Sequence, residues 1–245
     1  MSQIIRNIEL LAPAKDHLSA VDAVDCGADA VYIGARAFGA RHAATNSTED
    51  IARAVEYAHK FGVKVYATLN TLLFNDELEA AKQQAEELVT AGVDALIVQD
   101  MAYCRMGLQI PLHASTQTAC SSAEQVAFFE AVGFDRAILE RNMSATEIAE
   151  VGRRCNIELE AFIHGAICVC HSGRCFLSRS MSERSGNRGQ CSQPCRLPYD
   201  LTDGNGHIYI KGKHLLSVCD LDLSCRIGQM LDAGVNSFKI EGRLK

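Results

Sequence analysis

The sequence predicts an α/β fold, and within that class a (β/α)8 barrel of the TIM type. The first observation is that eight short segments rich in β-forming residues recur along the chain, and most are separated by amphipathic helical stretches. The second is a repeated phrase, seen in CGADAVYIG and AGVDALIVQ, where a glycine suits a helix end and a buried parallel strand follows. A doubly wound open sheet is the competing fold, but no GxGxxG follows the first strand. The eight predicted strands are residues 8–14, 29–34, 64–70, 94–100, 111–117, 136–141, 159–165 and 237–242.

The predicted helices have recognisable ends. In STEDIARAVEYAHKFG, Ser47, Thr48 and Asp50 suit a helix start, and Gly62 suits its end. Similar patterns, NDELEAAKQQAEELVTAG and SSAEQVAFFEAVG, follow the third and fifth strands. These repeats favour the barrel over two small domains.

Composition sets the broad class. With 48% hydrophobic and 22% charged residues, the 245 residues can bury a large core, so we expect one barrel domain over 1–245. The first residues lack a basic stretch followed by a long apolar run, and nowhere do about eighteen apolar residues follow one another. We therefore expect a cytoplasmic protein with no membrane partner.

One connection between strands is abnormally long. Residues 166–236 replace the usual short linker and helix, and they carry seven of the eleven cysteines. Disulfides are rare in a reducing compartment, so clustered cysteines indicate metal or cofactor ligands. Four thiolates suit zinc or an iron–sulfur cluster, and spacing does not distinguish the two; unligated thiols are the third alternative. The predicted ligands are Cys168, Cys175, Cys191 and Cys195, with the spacing C-x6-C-x15-C-x3-C.

Positive charge gathers where these cysteines gather. The net charge of −6 argues against indiscriminate binding to polyanions. Between His164 and Arg196, however, five arginines face one acid, Glu183. The segment is either a local basic patch or an ordinary solvated loop.

Polar side chains occur where the predicted strands end. In a (β/α)8 barrel, functional groups lie at the C-terminal ends of the strands and in the loops that follow. His113, Ser115 and Gln117 alternate along the fifth strand, so we expect them to share one face. A lone polar residue on a barrel strand is usually a satisfied core group, but a ring of them indicates a site. The other members of this ring are Asn70, Glu140, Arg141, His164, Lys239, Glu241 and Arg243.

Several motifs together resemble one known family. The motifs are ELLAPAKD, GADAVYIG, LHASTQ, EAFIHGAICVCHSGRCFLS, SGNRGQCSQPCR and KIEGR. They resemble, in the same order and over nearly the whole chain, the blocks of the peptidase U32 family. Three further stretches, GARHAATNS, CSQPCRLPY and KHLLS, are most similar to a branch of that family that makes 5-hydroxycytidine in 23S ribosomal RNA. A sister branch hydroxylates the wobble uridine of tRNA.

The resemblance implies a reaction and a set of roles. It implies a [4Fe-4S] cluster and prephenate as the oxygen source for RNA hydroxylation. We expect the basic patch to contact RNA phosphates and cations at the barrel mouth to bind the dianionic acid. The expected catalytic residues are His113, Gln117, Arg141, Lys239 and Glu241, and the expected substrate-binding residues are Asn70, Ser115, His164, Arg174, Arg188 and Arg243.

The chain departs from the family pattern in three places. Cys219 stands where relatives usually have lysine, and Cys170 where they have a small residue or methionine. Some relatives draw a ligand from elsewhere, so Cys219 is the alternative to Cys195. The chain also stops at KIEGRLK, where family members continue, so we expect a truncated barrel that lacks the C-terminal remainder of the family protein.

The family name implies a peptidase, which is the alternative function. The sequence has neither HExxH nor GxSxG. A cysteine paired with His113 or His164 is conceivable, but thiolates held by a metal are poor nucleophiles.

Overall fold

All eight predicted strands form in the computed structural model, which describes residues 8–40 and 46–242. Seven of them are consecutive in the chain, and three further short strands precede the last. Buried apolar runs explain the barrel strands, because parallel strands in a barrel are covered on both faces. The strands are β1 Glu9–Ala14, β2 Ala30–Gly34, β3 Lys64–Leu69, β4 Ala95–Val98, β5 Leu112–Ala114, β6 Arg136–Ile138, β7 Glu158–Gly165, β8 Tyr199–Thr202, β9 Ile208–Lys213, β10 Leu221–Asp222 and β11 Ser237–Ile240.

The barrel closes through β11. Each of β1 to β6 pairs in parallel with the next, and β11 pairs in parallel with both β7 and β1. Lys239 is in register with Leu11 on one side and Phe162 on the other. The predicted (β/α)8 barrel is therefore confirmed.

Helices cover the outside of the barrel. Helix α2 begins as predicted: the Ser47 hydroxyl accepts from the Asp50 backbone N–H, the Asp50 carboxylate accepts from the Ser47 N–H, and both distances are 3.1 Å. Gly62 follows the helix with a φ of +71°. Between β4 and β5 a 3-10 turn, Met101–Arg105, takes the place of a helix. The helices are α1 His17–Asp25, α2 Thr48–Lys60, α3 Leu78–Thr90, α4 Ala123–Val132, α5 Ala145–Arg154, α6 Leu177–Met181 and α7 Ile227–Asp232.

The predicted insertion between the seventh and eighth barrel strands contains small elements of its own. Strands β8 and β9 form an exposed antiparallel hairpin. Strand β10 returns to the barrel and pairs antiparallel with the end of β7, with Asp222 opposite His164. Among the described residues, no helix has the length and apolar character needed to cross a membrane.

Candidate functional site

A cysteine-rich segment lies across the C-terminal mouth of the barrel. We call residues 166–196 the cysteine loop. A Cβ on Gly173 would lie 1.9 Å from the Gln117 carbonyl oxygen, and one on Gly189 would lie 2.5 Å from the Gly39 carbonyl oxygen. Both glycines also have positive φ, so only glycine permits these close approaches. The loop is thereby packed against the connections that follow β2 and β5.

Arg188 fastens the cysteine loop to the connection after β3. Its guanidinium donates to both carboxylate oxygens of Glu77, at 2.8 and 2.5 Å, and also to the Leu72 carbonyl. The guanidinium also lies 4.3 Å from the centre of the Phe74 ring. Hydrogen bonding to Arg188 holds the pKa of Glu77 below its ordinary value. The Arg188 guanidinium is therefore engaged within the protein, and its expected phosphate contact stays a prediction.

A second arginine of the basic patch is also used internally. Arg196 donates to the Ile167 carbonyl at 2.6 Å and to the Ser217 hydroxyl at 2.7 Å. Arg196 thereby joins the start of the cysteine loop to the chain that follows β9. Arg174, by contrast, is exposed and forms no ion pair or side-chain hydrogen bond within residues 8–40 and 46–242.

The four predicted ligands lie within electrostatic reach of one another. Desolvation raises the pKa of Cys168; Arg141 opposes this rise, and Cys191 and Cys195 add to it. Desolvation likewise raises the pKa of Cys195, with further contributions from Cys191 and Cys175. Across the described chain, no three His, Cys, Asp or Glu side chains converge in a way that could hold one metal ion. The loop thus gathers four soft donors without the close grouping of a mononuclear site.

Arg141 borders a small cavity beside these cysteines. The cavity has a volume of about 110 Å³, and Cys168 also lines it. Arg141 pairs with Glu241, donates to the Ser172 hydroxyl at 3.1 Å, and stacks 3.9 Å from the centre of the Phe162 ring. Its Nε atom is buried and has no hydrogen-bond partner in the described structure. Arg141 therefore places a cation, already paired with Glu241, at the border of the cavity.

The polar residues after β3 and β5 form a connected set, but not on one strand face. Strand β5 ends at Ala114, and the buried Ser115 begins a 3-10 turn by accepting from the Gln117 N–H at 3.2 Å. The predicted alternation over 111–117 is therefore wrong beyond Ala114. Asn70 donates to the Ser115 hydroxyl at 3.2 Å and accepts from the Ala40 N–H at 2.8 Å. These side chains hold the loops at the mouth together.

His113 lies deeper in the barrel than predicted. It is in register with Arg136, the first residue of β6, and its ring packs edge-on against Tyr66 with centroids 4.8 Å apart. Burial, reinforced by the charges of Arg136 and Lys239, holds the pKa of His113 well below its ordinary value. The expected place at the mouth is corrected: His113 is a neutral side chain of the barrel interior.

Lys239 is also an interior group. Its ammonium donates to Glu160 at 2.8 Å and lies 4.2 Å from the centre of the Tyr32 ring. Because both charged side chains are buried, Lys239 is committed to this pair and not open to a substrate carboxylate.

The remaining predicted residues lie at the rim or beyond it. His164 is exposed and stands opposite Asp222, and their proximity contributes to lowering the pKa of Asp222, after the Ser224 hydrogen bonds. Glu241 follows β11 at the mouth, where its backbone N–H donates to the His164 carbonyl at 2.9 Å. Arg243 lies outside the described residues.

Sequence reasoning missed a buried ionic network inside the barrel. Arg136 contacts Glu9 at 2.5 Å and Glu160 at 3.1 Å, and Tyr66 donates to Glu9 at 2.5 Å. Burial tends to raise the pKa of Glu9, but the hydrogen bond and charge of Arg136 outweigh it and hold the pKa below its ordinary value. The available indication was a charged residue inside each of two apolar strands, RAIL and LEAFI.

The fold and the site define a (β/α)8 barrel whose C-terminal mouth is covered by a cysteine loop. The chain belongs to peptidase family U32, since the model of that family matches residues 16–245.

Comparison with characterised relatives gives the class of substrate they act on. The 23S rRNA 5-hydroxycytidine C2501 synthase of Escherichia coli K12 is 48% identical over 239 residues, which are 97% of this chain and 37% of that protein. The tRNA hydroxylation protein P1 of Bacillus subtilis 168 is 41% identical over 253 residues, covering 99% of this chain and 60% of that protein. The chain therefore spans between about a third and two thirds of the length of these relatives.

A solved structure supports the fold. The U32 peptidase Mk0906 has a TM-score of 0.63 with 13% sequence identity, and the match covers all of this chain and 96% of that one. At this identity the likeness concerns the fold alone.

Proposed function

We propose that this chain is the barrel part of an iron–sulfur RNA hydroxylase that forms 5-hydroxycytidine in 23S ribosomal RNA, acting in the cytoplasm with prephenate as the oxygen source. The observation that carries the proposal is the cysteine loop over the mouth of the barrel, in a chain 48% identical to a 23S rRNA 5-hydroxycytidine synthase. Active sites of such barrels lie at this end.

The cysteine loop has the donor chemistry that an iron–sulfur cluster requires. Cys168, Cys175, Cys191 and Cys195 are free thiols of the cysteine loop, and a Cβ on Gly186 would lie 3.7 Å from the Cys191 Cβ and 3.8 Å from the Cys175 carbonyl oxygen, which supports a common site. We assign these four as the cluster ligands. Zinc is the lesser alternative, because it has no redox chemistry.

Arg141 is the residue that we assign to the dianionic acid. It borders the cavity beside Cys168, and neighbouring side chains hold it there on three sides. A guanidinium binds a carboxylate through two parallel hydrogen bonds, which also fixes the orientation of the acid. His113 and Lys239 do not share this role, because both lie in the barrel interior.

Hydroxylation at C5 explains why a redox cofactor and an organic acid are needed together. C5 carries only hydrogen, and replacing that hydrogen by hydroxyl oxidises the base, so acid–base groups alone are insufficient. A cluster supplies electron transfer when bound. The chain's own residues orient the acid through Arg141 and hold the loop through Arg188.

Two other functions are distinguished by specific observations. Hydroxylation of a tRNA uridine is the second candidate, favoured by the 41% identity to the tRNA hydroxylation protein. Peptidase activity is disfavoured because no cysteine thiol in the described residues is hydrogen-bonded to a histidine ring, the arrangement that activates a cysteine nucleophile.

The proposal is tested with protein reconstituted with iron and sulfide under anaerobic conditions. We expect the parent chain, supplied with prephenate and unmodified 23S RNA, to yield 5-hydroxycytidine by nucleoside mass spectrometry. Cys191→Ser should lose iron, sulfide and product together, whereas the control Cys26→Ser, at an exposed cysteine after α1, should keep all three. Full iron and sulfide content in Cys191→Ser would contradict the ligand assignment.

A further inference from the structure

The cysteine loop carries the most exposed large aromatic side chain of the described residues. Phe176, directly after Cys175, is 69% exposed. Its ring makes no aromatic or cation–π contact within the part of the chain that the structure describes. Its backbone is nevertheless fixed, because its carbonyl accepts from the Ser180 N–H at 2.9 Å. The loop therefore presents a bare aromatic face on an ordered backbone.

Other exposed aromatic side chains are already engaged. Phe74 has the Arg188 guanidinium over its ring at 4.3 Å. Tyr209 on the β8–β9 hairpin packs against His207 with centroids 4.9 Å apart. Phe61 contacts Tyr57 and lies at the end of α2, before β3 begins, which is the opposite end of the barrel. Phe176 alone among these combines an unused ring with a position beside the proposed cluster.

An exposed cation accompanies the aromatic face. Arg174 lies two residues away, is exposed, and has no acidic partner in residues 8–40 or 46–242. An aromatic face beside an unpaired guanidinium is the combination that binds single-stranded nucleic acid, where the base stacks and the cation contacts phosphate. A duplex does not offer a base face for stacking, whereas an unstacked base does.

We propose that Phe176 is the stacking platform for the unstacked pyrimidine and that Arg174 contacts an adjacent phosphate of the same RNA strand. This inference rests on the proposed RNA hydroxylation. It adds the residues that receive the base and the requirement for a single-stranded target. Phe176 is a positioning residue, and its contribution depends on a flat π face and not only on apolar character.

The test uses a single-stranded RNA oligonucleotide in which pyrrolocytidine, a fluorescent cytidine analogue that is quenched when stacked, replaces the target base. With the cluster-loaded protein we expect binding to quench the fluorescence. Phe176→Leu keeps an apolar side chain without a π face, so its affinity should fall about tenfold and the quenching should be lost. Phe176→Tyr should restore both. Arg174→Ala should weaken binding and should reduce by about one the slope of the logarithm of the binding constant against the logarithm of salt concentration. Quenching should be retained in the complex.

Phe61→Leu is the matched control, because Phe61 is similarly exposed, at 61%, but lies at the other end of the barrel; it should bind as the parent does. If Phe176→Leu binds and quenches like the parent, the stacking proposal is wrong while RNA hydroxylation stands. If the parent itself neither binds single-stranded RNA nor hydroxylates it, both proposals fail.

Discussion

Arg141, in the connection after β6, and Glu241, directly after β11, form an ion pair at the mouth of the barrel, where β6 and β11 flank β7. Both side chains are largely buried, and the Arg141 guanidinium also contacts Ser172 and the Phe162 ring. The pair neutralises the cation that we assign to the acid, so Glu241 competes with any carboxylate for Arg141.

This competition predicts the effect of removing the Glu241 charge. Glu241→Gln should bind prephenate roughly tenfold more tightly than the parent, because a charged hydrogen bond of about 1.5–3 kcal/mol no longer holds Arg141. Arg141→Ala should lose binding. Titration calorimetry measures both. The control Glu124→Gln breaks an exposed pair with Arg154 and should leave affinity unchanged; a weaker-binding Glu241→Gln would refute the competition.

The interior network predicts unequal costs for two glutamates on β7. Both contact Arg136, but Glu160 is fully buried and also pairs with Lys239, whereas the Glu158 side chain is 57% exposed. Glu160→Gln should lower the free energy of unfolding by about 3–5 kcal/mol, because it leaves buried cations uncompensated. Glu158→Gln should cost less than about 1 kcal/mol. Urea unfolding measures both changes. Equal losses of unfolding free energy in the two variants would show that the buried network does not account for the difference.

His113 predicts a pH dependence of stability. Its folded-state pKa lies well below the ordinary 6.5, so below that pH the unfolded chain binds a proton that the folded chain excludes. Its contribution to stability is complete above pH 6.5 and is lost as the pH falls, by up to about 1.4 kcal/mol per pH unit. The stabilisation that Glu9 contributes is lost only when the pH falls below 4.5, the ordinary pKa of a glutamate.

The pH effect is measured by urea unfolding between pH 7 and pH 5. We expect His113→Gln to flatten the decline relative to the parent, and His207→Gln, at an exposed hairpin position, to leave it unchanged. An identical slope in His113→Gln and the parent would show that His113 titrates alike in both states.

Arg188 predicts how firmly the cysteine loop is held. Removing its bidentate contact with Glu77 in Arg188→Ala should speed amide hydrogen exchange in the cysteine loop and shorten the half-life of bound iron several-fold. Arg179→Ala removes only an exposed pair within the loop, with Glu183, and serves as the control. If amide hydrogen exchange in the loop were equally fast in both variants, the contact between Arg188 and Glu77 would not be what restrains the cysteine loop.

The barrel could be predicted from the sequence because buried parallel strands are apolar runs bounded by glycine and helix caps. The end of β5 could not be predicted, because the alternating polar residues of LHASTQ fit both a continuing strand and the turn that Ser115 begins. The depth of His113 depends on its register with Arg136, and the partner of Arg188 lies 111 residues away. Neither long-range relationship leaves a local pattern, so the cysteine loop was predictable but the roles of its arginines were not.

The most direct test of the hydroxylase proposal is mass spectrometry of nucleosides from the ribosomal and transfer RNA of cells that lack this gene. We predict that 5-hydroxycytidine disappears from 23S RNA and returns when the parent gene is supplied, but not when Cys191→Ser is supplied. Loss of a hydroxylated tRNA uridine instead would move the target to the second candidate, and unchanged 5-hydroxycytidine and tRNA uridine in the deletion strain would contradict RNA hydroxylation altogether.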